Sequence, residues 1–177
     1  HPTLETQAST ILKIREQHPS KKLLLLCYEH TVKHYGVQRF IQLAQTVCPE
    51  AVILVGAQST ALQHLLIENQ VKVASYIPFH LPESEIQAAR RANGFIYLQA
   101  TPTGQVREGC DTLKKVIAYL RERGFTQPIY GGMGVSTPED VQRLKKAGAD
   151  GAFIGSSLLK LEGQPQEMVQ FIKSLKQ

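Results

Sequence analysis

Six short apolar runs, each followed by a segment of helical period, leave few folds open to this chain. The runs fall at 23–27, 51–55, 71–77 and 94–98, and around Ile129-Tyr130 and Ala152-Phe153-Ile154. Between them lie stripes at three- and four-residue spacing. Phe40, Ile41, Ala44 and Val47 form one over 37–47, and 62–68 forms another. Pro82 opens a further helix with Glu83 and Glu85 in its first turn, and Leu113, Val116, Ile117 and Leu120 mark one that ends at Gly124. Ala8, Ile11, Leu12 and Ile14 set a first helix over 8–17, and Met168, Val169, Ile172 and Leu175 give the apolar face of a last one over 166–175. Strand–helix alternation of this kind means a parallel sheet with helices against it. The unbroken run Leu23-Leu24-Leu25-Leu26-Cys27 is the pattern of a strand covered on both faces.

The last two strands end on glycines. Pro128-Ile129-Tyr130-Gly131-Gly132-Met133-Gly134 leads into Val135-Ser136-Thr137-Pro138-Glu139-Asp140, where Ser136 or Thr137 can cap a helix with Pro138, Glu139 and Asp140 in its first turn. That helix should bury Val141, Leu144 and Ala147 and stop at a left-handed Gly148. The same grammar returns in Ala149-Asp150-Gly151-Ala152-Phe153-Ile154, a buried strand followed by Gly155-Ser156-Ser157. A strand that ends in glycine at a helix start lets backbone N–H groups approach an anion closely. One such turn ordinarily just permits a tight bend. Two in succession, late in a strand–helix chain, suggest the phosphate site of a (β/α)8 barrel. The expected fold is therefore α/β and TIM-barrel-like, a single domain over 1–177. It is incomplete, with about six strand–helix units where the barrel has eight, because 177 residues fall short of the roughly 250 such a barrel typically needs.

Composition narrows the function classes. No apolar run approaches the roughly 20 residues of a membrane span, and no signal peptide is expected from a polar start. Cys27, Cys48 and Cys110 are odd in number and far apart, which fits reduced thiols in the cytoplasm, with Cys27 a core residue at a strand end. Asp111 beside Cys110 speaks against a nucleophilic thiol there. The net charge of +5 is spread over Lys21-Lys22, Arg90-Arg91, Lys114-Lys115 and Lys145-Lys146. Dispersed pairs read as solvated helix faces rather than a nucleic-acid surface, while the excess favours a phosphorylated ligand.

A loop rich in functional groups follows the first strand: Tyr28, Glu29, His30, Lys33, His34 and Tyr35, closed by Gly36. His30 and His34 have the spacing of a helical metal pair, but Thr31, Val32 and Gly36 disfavour a helix and no third ligand is evident, so no metal is expected. Glu29 stands on the face where barrels place their chemistry. It reads either as an acid–base group or as a solvated loop carboxylate.

The run Gly132-Met133-Gly134-Val135-Ser136-Thr137-Pro138-Glu139-Asp140-Val141, continued by Ala147-Gly148-Ala149-Asp150-Gly151-Ala152 and Ile154-Gly155-Ser156, resembles the α subunit of tryptophan synthase. So do Gly94-Phe95-Ile96-Tyr97-Leu98 with Thr103-Gly104, Ile14-Arg15-Glu16-Gln17-His18-Pro19 before a leucine-rich strand ending in Tyr28, and Pro2-Thr3-Leu4-Glu5. The resemblance implies a TIM-barrel lyase of tryptophan biosynthesis that cleaves indole-3-glycerol phosphate to indole and glyceraldehyde 3-phosphate. It also implies a β-subunit partner, which carries the pyridoxal phosphate, so no cofactor is expected in this chain. By the same resemblance Gly132, Gly134, Gly155 and Ser156 hold the substrate phosphate, Gly104 contributes from its loop, and Thr103 orders that loop. Tyr28 would sit at the indole end and Tyr97 on the strand beneath. The family's two catalytic carboxylates belong to its second strand and the loop after it, and no residue here takes those roles, which leaves Glu29 as the only candidate. The family's Asp-x-Pro after its fourth strand is replaced by Val55-Gly56-Ala57-Gln58. A non-catalytic phosphate-binding relative, or a partial barrel that pairs with another chain or with itself as a homodimer, is the alternative.

Overall fold

A computed structural model describes residues 4–56 and 60–176. Pro2 and Thr3 of the family-like start, and Ala57 and Gln58 of the replaced motif, lie outside the described residues. The elements are α1 (Leu4–Gln17), β1 (Leu24–Tyr28), α2 (Glu29–Tyr35), α3 (Val37–Val47), β2 (Ala51–Val55), α4 (Thr60–Glu68), β3 (Val73–Ile77), α5 (Glu83–Arg91), β4 (Ile96–Gln99), α6 (Leu113–Glu122), β5 (Ile129–Gly132), α7 (Pro138–Ala147), β6 (Gly151–Ala152), α8 (Ser156–Leu159) and α9 (Pro165–Ser174). They fall into two compact units, 1–76 with 88–95, and 77–87 with 96–177.

In the first unit β1 pairs parallel with β2 from Leu24↔Ala51 to Tyr28↔Val55, and β2 with β3 from Val52↔Val73 to Leu54↔Ser75. Phe40, Ile41, Ala44 and Val47 of α3 are all buried, as their spacing requires, and the first three share a core with Val52, Leu54 and Val73 and with Leu66 of α4. Arg15 ties the end of α1 to the end of α3: its guanidinium donates to Val47 O at 2.8 Å, Lys21 O at 3.0 Å, Pro19 O at 3.1 Å and Cys48 O at 3.2 Å. Gly94 is glycine for want of room, since a Cβ there would lie 2.7 Å from Val73 O.

Four expectations change in this unit. Residues 29–35 are a helix, α2, not a loop; Val32 is 1% exposed and anchors it, and packing overrides the weak propensity of Thr31-Val32. β1 is not covered on both faces: the period of two sets Leu24, Leu26 and Tyr28 on one side, at 37%, 54% and 50% exposed. Cys27 is half-buried, and that burial pushes its thiol up to about 12. Lys21-Lys22 lies between α1 and β1 rather than on a helix face.

In the second unit β4 pairs parallel with β5 from Ile96↔Ile129 to Gln99↔Gly132, and β5 with β6 through Tyr130↔Gly151 and Gly131↔Ala152. α6 begins at Thr112, whose hydroxyl accepts Lys115 N–H, and buries Leu113, Val116, Ile117 and Leu120. α7 ends at Gly148, left-handed at φ 93°, as read from the sequence. It buries Leu144 alone, with Val141 and Ala147 half-buried. β6 is shorter and less buried than its apolar run suggested, two half-buried residues. The apolar face of α9 is uncovered at Val169 and Ile172, 50% and 37% exposed. Among the described residues no helix is long and apolar enough to cross a membrane.

Candidate anion site at the ends of β5 and β6

Register places Tyr97 and Gln99 of β4 opposite Tyr130 and Gly132 of β5, all on one face. Gly132 is the residue over which Tyr97 lies. A Cβ there would fall 2.3 Å from the ring and 2.7 Å from the phenol oxygen. Tyr130 lies over Gly151 in the same way, 3.0 Å from where a Cβ would be. Phe153 stands edge-on to both rings, at centroid distances of 5.0 Å and 5.7 Å. Burial raises the Tyr97 pKa, so its phenol stays protonated. The strand ends thus present an aromatic wall just before the two glycine turns.

After β5, Met133 and Gly134 are both left-handed, at φ 55° and 93°. The Thr101 hydroxyl donates to Gly134 O at 3.4 Å, and a Cβ on Gly134 would lie 2.3 Å from that hydroxyl oxygen. α7 then opens on a capping box. Asp140 accepts the N–H groups of Ser136 at 2.9 Å and Thr137 at 3.1 Å, and Asp140 N–H donates to the Thr137 hydroxyl at 3.2 Å. The Ser136 N–H bond above all, with the Thr137 donors and Arg143, holds the Asp140 carboxyl below its ordinary range. The start of α7 therefore engages the N–H groups of Ser136, Thr137 and Asp140 within its own cap.

After β6, Phe153 N–H donates to Gly131 O at 2.7 Å, and the chain enters α8. Gly155 and Ser156 are exposed, and the N–H groups of Ser156 and Ser157 take no acceptor among the described residues. A Cβ on Gly155 would meet nothing within 4 Å. Gly134 and Gly155 each lie three residues beyond the paired Gly131↔Ala152, so the two turns leave neighbouring strands at the same end. The loop after β4 adds Thr103 and the left-handed Gly104, at φ 112°. Tyr97, Thr103, Gly104, Gly132, Gly134, Gly155 and Ser156 thus belong to one end of β4, β5 and β6. Gln99, Thr101 and Phe153 escaped the sequence reading, although Gln99 and Phe153 share the strand parity of Tyr97 and Gly151.

Tyr28 and Glu29 belong to the first unit. Tyr28 lies 5.6 Å from the His30 ring and lines an apolar groove of about 600 Å3 with Ile11, Leu24, Leu26 and Leu43. Glu29 is not a solvated loop carboxylate. It is 3% exposed in the first turn of α2, with Lys33 Nζ at 2.6 Å one turn on. His30 and His34 are exposed, and among the described residues no three His, Cys, Asp or Glu side chains are grouped to hold a metal.

The family model of the tryptophan synthase alpha chain matches residues 2–177. The chain belongs to that family. A tryptophan synthase alpha chain from Escherichia fergusonii is 27% identical over 174 residues, covering 93% of this chain and 65% of its own length. This chain of the tryptophan synthase alpha family thus spans about 65% of that curated relative. The solved tryptophan synthase subunit alpha from Campylobacter jejuni superposes with a TM-score of 0.75 at 23% identity, covering 94% of this chain and 70% of that one. The tryptophan synthase α2β2 complex from Pyrococcus furiosus gives 0.78 at 20% identity, covering 98% and 72%. These likenesses establish the TIM-barrel-like fold that the alternation of strands and helices implied.

Proposed function

We propose that this chain provides the phosphate-holding part of a lyase that cleaves indole-3-glycerol phosphate to indole and glyceraldehyde 3-phosphate. The observation that carries the reading is the pair of turns after β5 and β6, with Gly134 held open by Thr101 and the Ser156 and Ser157 N–H groups unengaged among the described residues. Backbone donors of Gly132, Gly134, Gly155 and Ser156, with the Ser156 hydroxyl, would take the phosphate oxygens. Thr103 and Gly104 close on it from the loop after β4. The wall of Tyr97, Tyr130 and Phe153 supplies apolar surface for an aromatic ligand. The net charge of +5 draws an anion toward the molecule.

Retro-aldol cleavage needs proton transfers at the indole ring and at the side-chain hydroxyl, each positioned group contributing about 10²–10⁴-fold. Glu29, beside Tyr28 at the end of β1, is the carboxylate we assign to such a transfer in this chain. The Pyrococcus furiosus homologue is known as an α2β2 complex, which supports a β-like subunit as the partner that receives indole.

Calorimetry with indole-3-glycerol phosphate tests the binding half of the reading: the purified chain should bind it, and Gly134→Leu should not. Absence of binding by the unaltered chain overturns the proposal. Indole release, assayed with and without Glu29→Gln, tests the chemical half. Slow release that falls with the substitution supports Glu29, and release indifferent to it removes Glu29 from the mechanism.

A further inference from the structure

Gln99 ends β4 and is 4% exposed. Its Oε1 accepts Phe79 N–H at 3.2 Å, and its Nε2 donates to Thr101 O at 2.8 Å and to Thr103 Oγ1 at 3.1 Å. A donor on one side and two acceptors on the other fix the amide's orientation, and only a neutral amide satisfies all three. Phe79 lies on the loop after β3, while Thr101 and Thr103 lie on the loop after β4. The Thr101 hydroxyl in turn donates a hydrogen bond to Gly134 O, on the turn after β5. One buried side chain therefore links three consecutive loops at one end of the second unit.

The polarity of these bonds has a chemical consequence. Thr103 Oγ1 accepts from Gln99, which leaves the Thr103 O–H to donate elsewhere, and Thr103 is exposed. We propose that Gln99 is a positioning residue: it turns the Thr103 hydroxyl into a donor for the ligand phosphate and holds Thr101 against Gly134, so that the loop after β4 and the turn after β5 bind as one. This rests on the phosphate reading above and adds to it a residue that touches no ligand.

The test is a double-mutant cycle on the whole chain, with sn-glycerol 3-phosphate as the probe, calorimetry as the readout and a melting curve for each variant. Gln99→Met and Thr103→Val should each weaken binding roughly three- to tenfold, the worth of one hydrogen bond. The double variant should lose clearly less than the product of the two single losses, because Gln99 acts in part through that hydroxyl. Gln99→Glu keeps the shape and the acceptor for Phe79 but loses the donor when ionised. Its affinity relative to the unaltered chain at the same pH should recover as the pH falls and the carboxyl regains a proton. A role in packing alone predicts additive losses and no recovery, and either result overturns the proposal. Should Gln99→Met fail to fold, the isosteric Gln99→Glu carries the cycle. An unaltered chain that binds no glycerol phosphate defeats the phosphate reading and this inference together, whereas normal binding indifferent to Gln99 defeats the inference alone.

Discussion

After β5, side chains close the helix start: Ser136 and Thr137 N–H donate to Asp140, and Asp140 N–H donates to Thr137. After β6, the N–H groups of Ser156 and Ser157 begin a helix with no acceptor among the described residues. The sequence explains the difference. α7 has threonine at its cap and a carboxylate three residues on, whereas α8 has glycine at its cap and Leu158 at the matching place. Two turns of the same grammar therefore do different work. The first closes its helix start with its own side chains, a wall beside which Gly134 stands, and the second leaves the N–H groups of its helix start for a ligand.

Substitutions can break that contrast, and the largest effect is expected on the wall. Gly134→Leu places a side chain at φ 93° against Thr101, and should cost roughly 2–5 kcal/mol from left-handed strain and overpacking together. Thermal melting would register it, and glycerol phosphate binding should vanish in whatever folds.

Asp140→Ala removes the capping box and should cost about 0.5–2 kcal/mol, yet leave phosphate affinity within about twofold, because the donors it frees were never the ligand's. The acid limb sharpens the point. The folded Asp140 carboxyl titrates below its ordinary 3.8, so its stabilisation is present above that value and is lost as pH falls through the folded one. Asp140→Asn should flatten the loss of stability below about pH 4. An affinity that collapses in either variant would mean that α7 itself holds the anion.

On the second turn the order reverses. Ser156→Ala should weaken glycerol phosphate binding roughly three- to tenfold while changing stability by less than about 0.5 kcal/mol. The smallest effect is expected from Gly155→Ala: its Cβ enters open space at φ −117°, and the melting temperature should hardly move. The same change at Gly134 should cost at least about 1 kcal/mol.

What the sequence revealed divides along the same line. Thr137-Pro138-Glu139-Asp140 and Gly148 are local signals, and the helix between them was legible from start to stop. The stripe of α3 was equally plain, because four apolar residues at helical spacing admit one face. α2 was not, since β-branched Thr31-Val32 and the nearby Gly36 argue against a helix that exists through the burial of Val32 and the Glu29–Lys33 pair. The exposure of Leu24 and Leu26 was hidden for a related reason: an apolar run shows what can be buried, not what is covered. Gln99 reads as a polar strand end, and only the approach of Phe79, Thr101 and Thr103 makes it a junction. At the candidate site the glycines were visible as a pattern, but which turn keeps its donors depends on where the Asp140 carboxylate folds back.

The most direct test is an amide NMR titration of the chain with sn-glycerol 3-phosphate. The account predicts saturable shifts at Gly134, Gly155 and Ser156, with the Ser136 and Thr137 amides, engaged by Asp140, nearly still. Shifts concentrated at Ser136 and Thr137, with Gly155 and Ser156 unmoved, would contradict it.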